Sequence, residues 1–314
     1  MRAKTTQDME KTKTTGSQGA VKARMLCIAC LVLTLLTVGP GCSRKVKPPP
    51  APEPETTQTQ LPPPTPTPPR EPQPVEMGVV TPQSPLSQEV RTKREPMLRE
   101  EFKKASLRLG APIFVRIFKD EKELELWVKK GETFQRFKTY RVANFSGKLG
   151  PKMREGDLQA PEGFYEVTPT RLNPRSNYHL AFNIGYPNEY DQVHKASGGL
   201  IMVHGKRDSV GCFAMTDPAI EEIYTIADFA LNSGQPSFAV HIFPFRMTAG
   251  NLMRHSGSPH MAFWRGLLRG YLLFELTRYP PAVEVTEARY AFANGLQQRK
   301  TNVASVQTTR PATP

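Results

Sequence analysis

Hydrophobic and polar positions alternate along much of the middle of the chain, and a period of two residues is typical of half-buried β-strands. The clearest case is the segment ELELWVK at residues 123–129. Similar patterns predict strands at residues 112–119, 123–129, 133–142, 163–168, 180–184, 200–204 and 237–243. Because turns rich in Gly, Pro and Asn separate these segments, the sequence predicts a mainly β fold, either a β-sandwich or a barrel-like sheet.

A helical period appears on either side of these strands, so the predicted class is α+β overall. A short helix is predicted at residues 91–106, and a clear one begins near Asp217, which suits a helix cap, and ends near Gly234. A third helical region covers residues 259–278, and a single edge strand is predicted at 282–292.

The third helical region has two possible roles. Its apolar residues recur at helical spacing, and we expect them to pack across the sheet. Because Arg265 and Arg269 fall between them, a membrane-surface role is the alternative.

The N-terminal 41 residues predict a secretory signal. Lys22 and Arg24 precede an apolar run at residues 25–38, which is too short for a comfortable transmembrane helix. Cys42 follows the small residue Gly41 and so predicts a lipidated bacterial lipoprotein, with Ser43 favouring the outer membrane. Plain secretion and a retained anchor remain as alternatives. The predicted location is periplasmic.

The segment from residue 42 to 90 predicts a disordered spacer. It holds about half of the 31 prolines of the chain and almost no bulky apolar residues, so it cannot bury enough surface to offset its ordering entropy. We therefore predict a signal at 1–41, a linker at 42–90, a catalytic domain with a C-terminal helical extension at 91–292, and a disordered tail at 293–314.

The net charge is +13, and a basic surface attracts anions in general. Nucleic acid is excluded as a partner, because no nucleic-acid-binding motif is present and the leader predicts export. Carboxylate-rich peptidoglycan or anionic lipid fits better. A solvated basic surface without a specific partner is the alternative.

A cysteine and a histidine lie in one short segment, residues 202–215. Cys212 is the only cysteine outside the N-terminal 42 residues. A histidine near a thiol can take its proton, and amides near Gly211 could stabilise an oxyanion. His204 and Cys212 therefore predict a catalytic pair, and a buried structural cysteine is the alternative. Zinc on Cys212, His204 and His241 would lack paired ligands at metal spacing, so no metal or cofactor is expected.

The run from His204 to Met215, H-G-x(3)-S-x-G-C-x-x-M, resembles the signature of the L,D-transpeptidase catalytic domain (YkuD type). Upstream, the segments at residues 150–152, 156–157, 160–165 and 183–191 resemble one branch of that family. The resemblance implies a cysteine enzyme that acts on peptidoglycan stem peptides, with Cys212 as nucleophile and His204 as base.

Two departures from the commonest members of that family leave the reaction open. Val210 and Ala214 stand where histidine and arginine are usual, and the His204–Cys212 spacing of eight residues is short. The branch with these departures resembles enzymes that hydrolyse the link between peptidoglycan and an attached lipoprotein. Cross-linking or transfer and hydrolysis both remain, with a lean towards hydrolysis. A catalytically silent, lipid-tethered wall-binding module is the third alternative.

Other residues of the site are weaker predictions. Ser209 is expected either to orient His204 or line the oxyanion pocket, or to bond its own backbone as a turn serine. Gly205 and Gly211 are assigned to the same pocket. Tyr186, His179 and His194 lie in a polar, turn-rich stretch that could cover the cleft and touch substrate.

Overall fold

The computed structural model describes residues 80–293. The helices in this range are α1 (Pro85–Lys104), α2 (Glu189–Val193), α3 (Asp217–Asn232), α4 (Ala249–Arg254) and α5 (Met261–Thr277). The strands are β1 (Ile113–Phe118), β2 (Glu123–Lys130), β3 (Thr133–Arg141), β4 (Asn144–Phe145), β5 (Gly163–Val167), β6 (Leu172–Ser176), β7 (His179–Asn183), β8 (Met202–His204), β9 (Phe213–Ala214), β10 (Phe238–Phe243), β11 (Ala282–Thr286) and β12 (Arg289–Ala293).

Ten of these strands form two five-stranded mixed sheets. The first sheet has the order β3-β2-β1-β10-β5, and the second has the order β4-β9-β8-β7-β6. Within each sheet one pair is parallel, β1 with β10 and β8 with β9. Both sheets and the inner sides of α1 and α3 contribute side chains to one hydrophobic core. The predicted class, a β-rich α+β fold, is confirmed.

The central strand of the first sheet, β1, is buried on both faces. Val115 and Ile117 enter the core shared with the second sheet, whereas Phe114 and Phe118 point the other way into aromatic clusters. All six residues of β1 are buried. This explains why the sequence of β1 is almost continuously apolar and does not alternate.

Helix α5 covers the outer face of the first sheet. Trp264, Leu267 and Phe274 are almost fully buried there, and a buried aromatic side chain removes roughly 150–250 Å² from water. The prediction that this helix packs across the sheet is confirmed. No helix within residues 80–293 is long and apolar enough to cross a membrane.

Helix α1 begins earlier than predicted, so the boundary between linker and domain at residue 90 was wrong. Ser84 caps the helix, with its Oγ accepting from Ser87 N at 3.1 Å, and Pro85 starts the first turn. Thr81 N also donates to Asn232 Oδ1 at 3.1 Å on α3. Residues 80–90 therefore belong to the folded domain.

The predicted single edge strand at 282–292 is a two-stranded hairpin, β11 with β12. Glu287 and Ala288 turn the chain with φ of 52° and 57°. Glycine or asparagine usually marks such a turn, and because neither is present, this hairpin has no turn signal in the sequence. Strands β4, β6 and β9 and helices α2 and α4 were also not predicted, and all five are short.

Helix α3 matches its predicted range closely, but its first residue was assigned the wrong role. Thr216 occupies the cap position, and Asp217 is the first helical residue. The Asp217 carboxylate accepts instead from Lys206 N at 2.7 Å.

The predicted signal at 1–41, most of the linker and nearly all of the tail lie outside the described residues and stay predictions.

Candidate active site

The parallel pairing of β8 with β9 places His204 and Cys212 on one face of the second sheet. Val203 lies opposite Phe213, and His204 lies opposite Ala214. Since side chains alternate along a strand, the buried Val203 and Phe213 enter the core, and His204 and the residue before Phe213 share the other face. Cys212 is therefore one diagonal step from His204 on that face.

The imidazole of His204 is held in one orientation by its own backbone. Nδ1 lies 2.6 Å from the Gly205 carbonyl oxygen, so Nδ1 carries the proton and donates. Nε2 has no hydrogen-bond partner within residues 80–293 and is not sealed from solvent. Burial lowers the pKa of His204, although the Gly205 carbonyl and Asp208 oppose this effect. The ring is therefore neutral at pH 7 and can accept a proton at Nε2.

Gly205 fits this position because a side chain would not. A Cβ atom there would lie 2.5 Å from Asp217 Oδ1 and 2.9 Å from the Tyr178 carbonyl oxygen. Its N–H donates to the Tyr178 and Leu180 carbonyls at 3.0 and 3.1 Å. Gly205 thus orients His204 through its carbonyl, and it contributes no free amide to an oxyanion pocket.

The Cys212 thiol is partly buried and protonated at rest. Its Sγ accepts from Met202 N at 3.3 Å and lies 3.8 Å from the Leu200 carbonyl oxygen. Burial raises the pKa of the thiol, while the Met202 N–H and the charge of Lys152 oppose that rise. No hydrogen bond joins Sγ to His204 in the described structure. Cys212 and His204 lie on one face of the sheet. Because they are not hydrogen-bonded to each other, we expect the proton to pass from the thiol to the imidazole only when substrate binds.

Two residues assigned to the oxyanion pocket have other partners. The Gly211 N–H donates to Ser146 Oγ, just beyond β4, so it is not free to bind an oxyanion. Ser209 Oγ donates to the Cys212 carbonyl at 2.6 Å. Ser209 therefore behaves as a turn serine and does not orient His204. The Cys212 N–H is the remaining candidate donor on this turn.

Lys152 is a charged residue of this site that the motif analysis did not assign. Its side chain is 5% exposed, and Nζ donates to Asp157 Oδ1 at 2.5 Å and to the Arg154 carbonyl at 2.8 Å. Burial alone would raise the pKa of Asp157, but Lys152 and three backbone N–H groups hold it at about 2. Lys152 lies in the Gly-Pro-Lys segment at residues 150–152, which resembles one branch of the family. This segment is the feature of the sequence that points to Lys152.

A buried ion pair anchors the loop that carries Lys152. Lys119 and Glu162 are completely buried, with Nζ 2.9 Å from Glu162 Oε1. Lys119 Nζ also donates to the carbonyls of Gly150 and Ala160. Both ends of the loop at residues 150–160 are therefore fixed by one ammonium group at the end of β1.

Glu162 extends this anchor to helix α5. Its Oε1 accepts from Gly150 N at 2.6 Å, and its Oε2 accepts from Trp264 Nε1 at 2.7 Å. Because removing one partner of a buried pair leaves an uncompensated charge, loss of either Lys119 or Glu162 would be costly, and their bonds hold both ends of the loop. The C-terminal helix thereby helps to position Lys152.

The three residues expected to touch substrate make other contacts. Tyr186 is buried, and its hydroxyl donates to the carbonyls of Lys152 and Ser197 at 3.2 Å. His179 Nε2 lies 3.0 Å from Glu221 Oε1 on α3. His194 is exposed, bonds its Nδ1 to the Tyr190 carbonyl and stacks on the Tyr190 ring. Tyr186 supports the loop of Lys152, and neither histidine is bonded to Cys212 or His204.

Within residues 80–293, no group of three or more His, Cys, Asp or Glu side chains is arranged to hold an ion. His241 lies on β10 in the first sheet, whereas Cys212 and His204 belong to the second.

A half-buried thiol beside a neutral histidine defines a candidate cysteine acyl-transfer site. The L,D-transpeptidase catalytic domain family (YkuD) matches residues 112–242. The chain is 47% identical over 188 residues to the protein named "Putative L,D-transpeptidase YafK" in Escherichia coli (strain K12), covering 60% of this chain and 76% of that protein. The same figures hold for its counterpart in Escherichia coli O157:H7. The chain belongs to the L,D-transpeptidase family.

Solved structures give weaker similarities. A variant of the helical cell shape determining protein Pgp2 from Campylobacter jejuni has a TM-score of 0.36 and 24% identity over 52% of this chain and 56% of that one. Bd1075 from Bdellovibrio bacteriovorus has a TM-score of 0.31 and 19% identity over 52% of this chain and 62% of that one. The chain thus spans little more than half the length of the Pgp2 variant.

Alkylation of Cys212 by iodoacetamide is predicted to be slow at pH 7. Only the thiolate reacts, and burial raises the pKa of this thiol above its usual value of 9.0, so the rate rises as the pH passes beyond 9. Lys152→Met should shift the rise to higher pH, because it removes a nearby positive charge. Lys148→Met, at an exposed lysine of the same region, is the matched control. The rate is followed by intact-protein mass spectrometry.

A full rate at pH 7 that does not change up to pH 10 would contradict this assignment, because it would mean a thiolate already paired with an imidazolium. An identical pH profile in the Lys152→Met protein would remove Lys152 from the site.

Proposed function

We propose that the protein is a peptidoglycan cysteine enzyme that forms a thioester at Cys212 with His204 as base, and that water resolves this thioester. The observation that carries the proposal is the shared face of β8 and β9, on which a thiol lies beside a neutral imidazole whose Nδ1 is already bonded. The substrate class, peptidoglycan stem peptides, follows the family to which the chain belongs.

In the proposed reaction, His204 Nε2 takes the proton of the Cys212 thiol as sulfur attacks a stem-peptide carbonyl. The tetrahedral oxyanion is stabilised by the Cys212 N–H, and the fixed charge of Lys152 favours the thiolate. Collapse of this intermediate breaks the carbon–nitrogen bond, and the leaving amine takes the proton from His204. The product is a thioester of the stem peptide on Cys212.

We propose that water then attacks the thioester carbonyl while His204 takes a proton from the water. The carbon–sulfur bond breaks, the stem peptide leaves as a carboxylate, and His204 returns the proton to the Cys212 sulfur. We propose that the bond cut in the overall reaction is the link between a stem peptide and an attached lipoprotein. Ala214 stands where many relatives carry arginine, and it is completely buried, so no guanidinium is available at this position. Lys152 is the nearby cation, and its side chain is already paired with Asp157. Transfer of the acyl group to an amine would use the same thioester.

Sacculi that carry bound proteins distinguish these reactions. After incubation with the purified protein, we expect mass spectrometry to find released lipoprotein or freed stem peptides. The Cys212→Ala protein should release neither, because it has no nucleophile. A thermal-unfolding curve that matches the wild type shows that the variant is folded.

New cross-linked or amine-exchanged muropeptides would instead establish a transpeptidase and overturn the hydrolytic part of the proposal. No change to the sacculi would overturn the enzyme itself and favour a wall-binding protein, and equal products from Cys212→Ala would overturn Cys212 as the nucleophile.

We also propose that the chain is exported to the periplasm and anchored in the outer membrane by lipid on Cys42. The signal pattern before Cys42 and the peptidoglycan substrate support this location. The mature N-terminal peptide should carry the mass of acyl chains on Cys42, and the Cys42→Ser protein should move from the outer-membrane to the soluble periplasmic fraction. An unmodified Cys42 in the membrane-bound protein would contradict the anchor.

A further inference from the structure

A cavity lies beside the first sheet, and the thiol of Cys212 is not part of its lining. It has a volume of about 580 Å³ and is formed by β5, β10, the β11–β12 hairpin and the segment around α2. Its lining includes Phe164, Arg171, Asn188, His241, Val285 and Tyr290, and neither Cys212 nor His204 is part of it. The volume is in the usual range for small-ligand sites, roughly 300–1,000 Å³.

An imidazole without hydrogen bonds forms part of the cavity wall. His241 is 1% exposed, and its Nδ1 is buried with no partner. Its Nε2 has no partner within residues 80–293 either, and because it is not among the sealed polar atoms, it is the ring nitrogen that a molecule in the cavity could reach. Phe114 and Phe164 meet the ring edge-on, each with ring centroids 4.7 Å apart. Buried polar groups normally have hydrogen-bond partners. The described residues supply none for this ring, so a bound molecule could act as the partner.

The imidazole is neutral at physiological pH. Burial lowers the pKa of His241 to about 3, and the nearby charge of Arg116 acts in the same direction. A neutral imidazole has one donor and one acceptor nitrogen. A ligand with hydroxyl or amide groups can match either role at Nε2.

The edge strand β5 is closed to a peptide that would add as another strand. The Phe164 carbonyl accepts from Asn188 Nδ2 at 2.8 Å, and the Glu166 carbonyl accepts from Arg171. Strand addition depends on such main-chain groups being free. A ligand in this cavity is therefore recognised by side chains.

The charges around the cavity disfavour an anion. Glu166 and Glu189 lie in its wall with Arg171 as the opposing cation, so the fixed charge is slightly negative. Aromatic rings of Phe164 and Tyr290 supply apolar surface beside the polar groups. A neutral molecule with hydroxyls, an amide and an apolar face fits this combination.

We propose that this cavity binds an N-acetylated amino sugar of the glycan strand. The choice of sugar rests on the proposed function, because a peptidoglycan enzyme meets such sugars next to its stem peptides. Binding at two points of one polymer raises the local concentration of stem peptides near Cys212.

The test titrates N,N′-diacetylchitobiose into the full chain labelled with ¹⁵N-histidine and follows the His241 ring nitrogens by NMR. We expect a saturable shift of Nε2. His241→Phe keeps an aromatic ring but removes both nitrogens, and it should weaken binding roughly tenfold, as loss of one buried hydrogen bond does. Val285→Trp fills the cavity from the hairpin and should weaken binding without altering His241. For the His241→Phe protein, binding is followed by calorimetry.

All titrations use the Cys212→Ala background, so binding is measured without turnover. No saturable shift up to the solubility of the sugar, or unchanged affinity in the folded His241→Phe and Val285→Trp proteins, would overturn the glycan site. Intact sugar binding in a protein that never changes sacculi would overturn only the proposed reaction. Turnover without sugar binding would overturn only this site.

Discussion

The parallel register between β8 and β9 is the constraint on which the candidate active site depends. Parallel neighbours usually need a crossover of a dozen or more residues, but here only residues 205–212 connect the two strands. So short a connection has to turn sharply, and Lys206 and Gly211 adopt left-handed φ angles of 56° and 92°. Ser209 closes the turn by its bond to the Cys212 carbonyl. The short His204–Cys212 spacing is therefore compatible with both residues on one face.

Burial then sets the chemistry of that face. It raises the pKa of the Cys212 thiol and lowers that of His204, so both groups are neutral before substrate arrives. Lys152 supplies the opposing positive charge, and the buried Lys119–Glu162 pair fixes the loop on which it lies. Trp264 connects this pair to α5. The C-terminal helical region is thus part of the support for the site, although it lies beyond the residues matched to the family.

The sequence predicted the strands of the first sheet and helices α3 and α5, because β2 alternates with a period of two, β1 is a short apolar run between turns, and the helices have a period of 3.6 residues. It also singled out His204 and Cys212, because these residue types can act as base and nucleophile, and their catalytic roles remain predictions. It could not predict β4 and β9, which are two residues long and exist only through pairing with each other and with β8. The partners of Gly211 and Ser209, and the unpaired His241, depend on long-range packing for which one sequence carries no periodic signal.

Formation of a thioester on Cys212 would change the intact mass of the protein. The protein is mixed with muropeptides, quenched in acid and examined by mass spectrometry. We expect a transient mass increase equal to the acyl part of a stem peptide, located on the peptide that contains Cys212 and removed by hydroxylamine. Products that accumulate without any adduct, or from the Cys212→Ala protein, would contradict it.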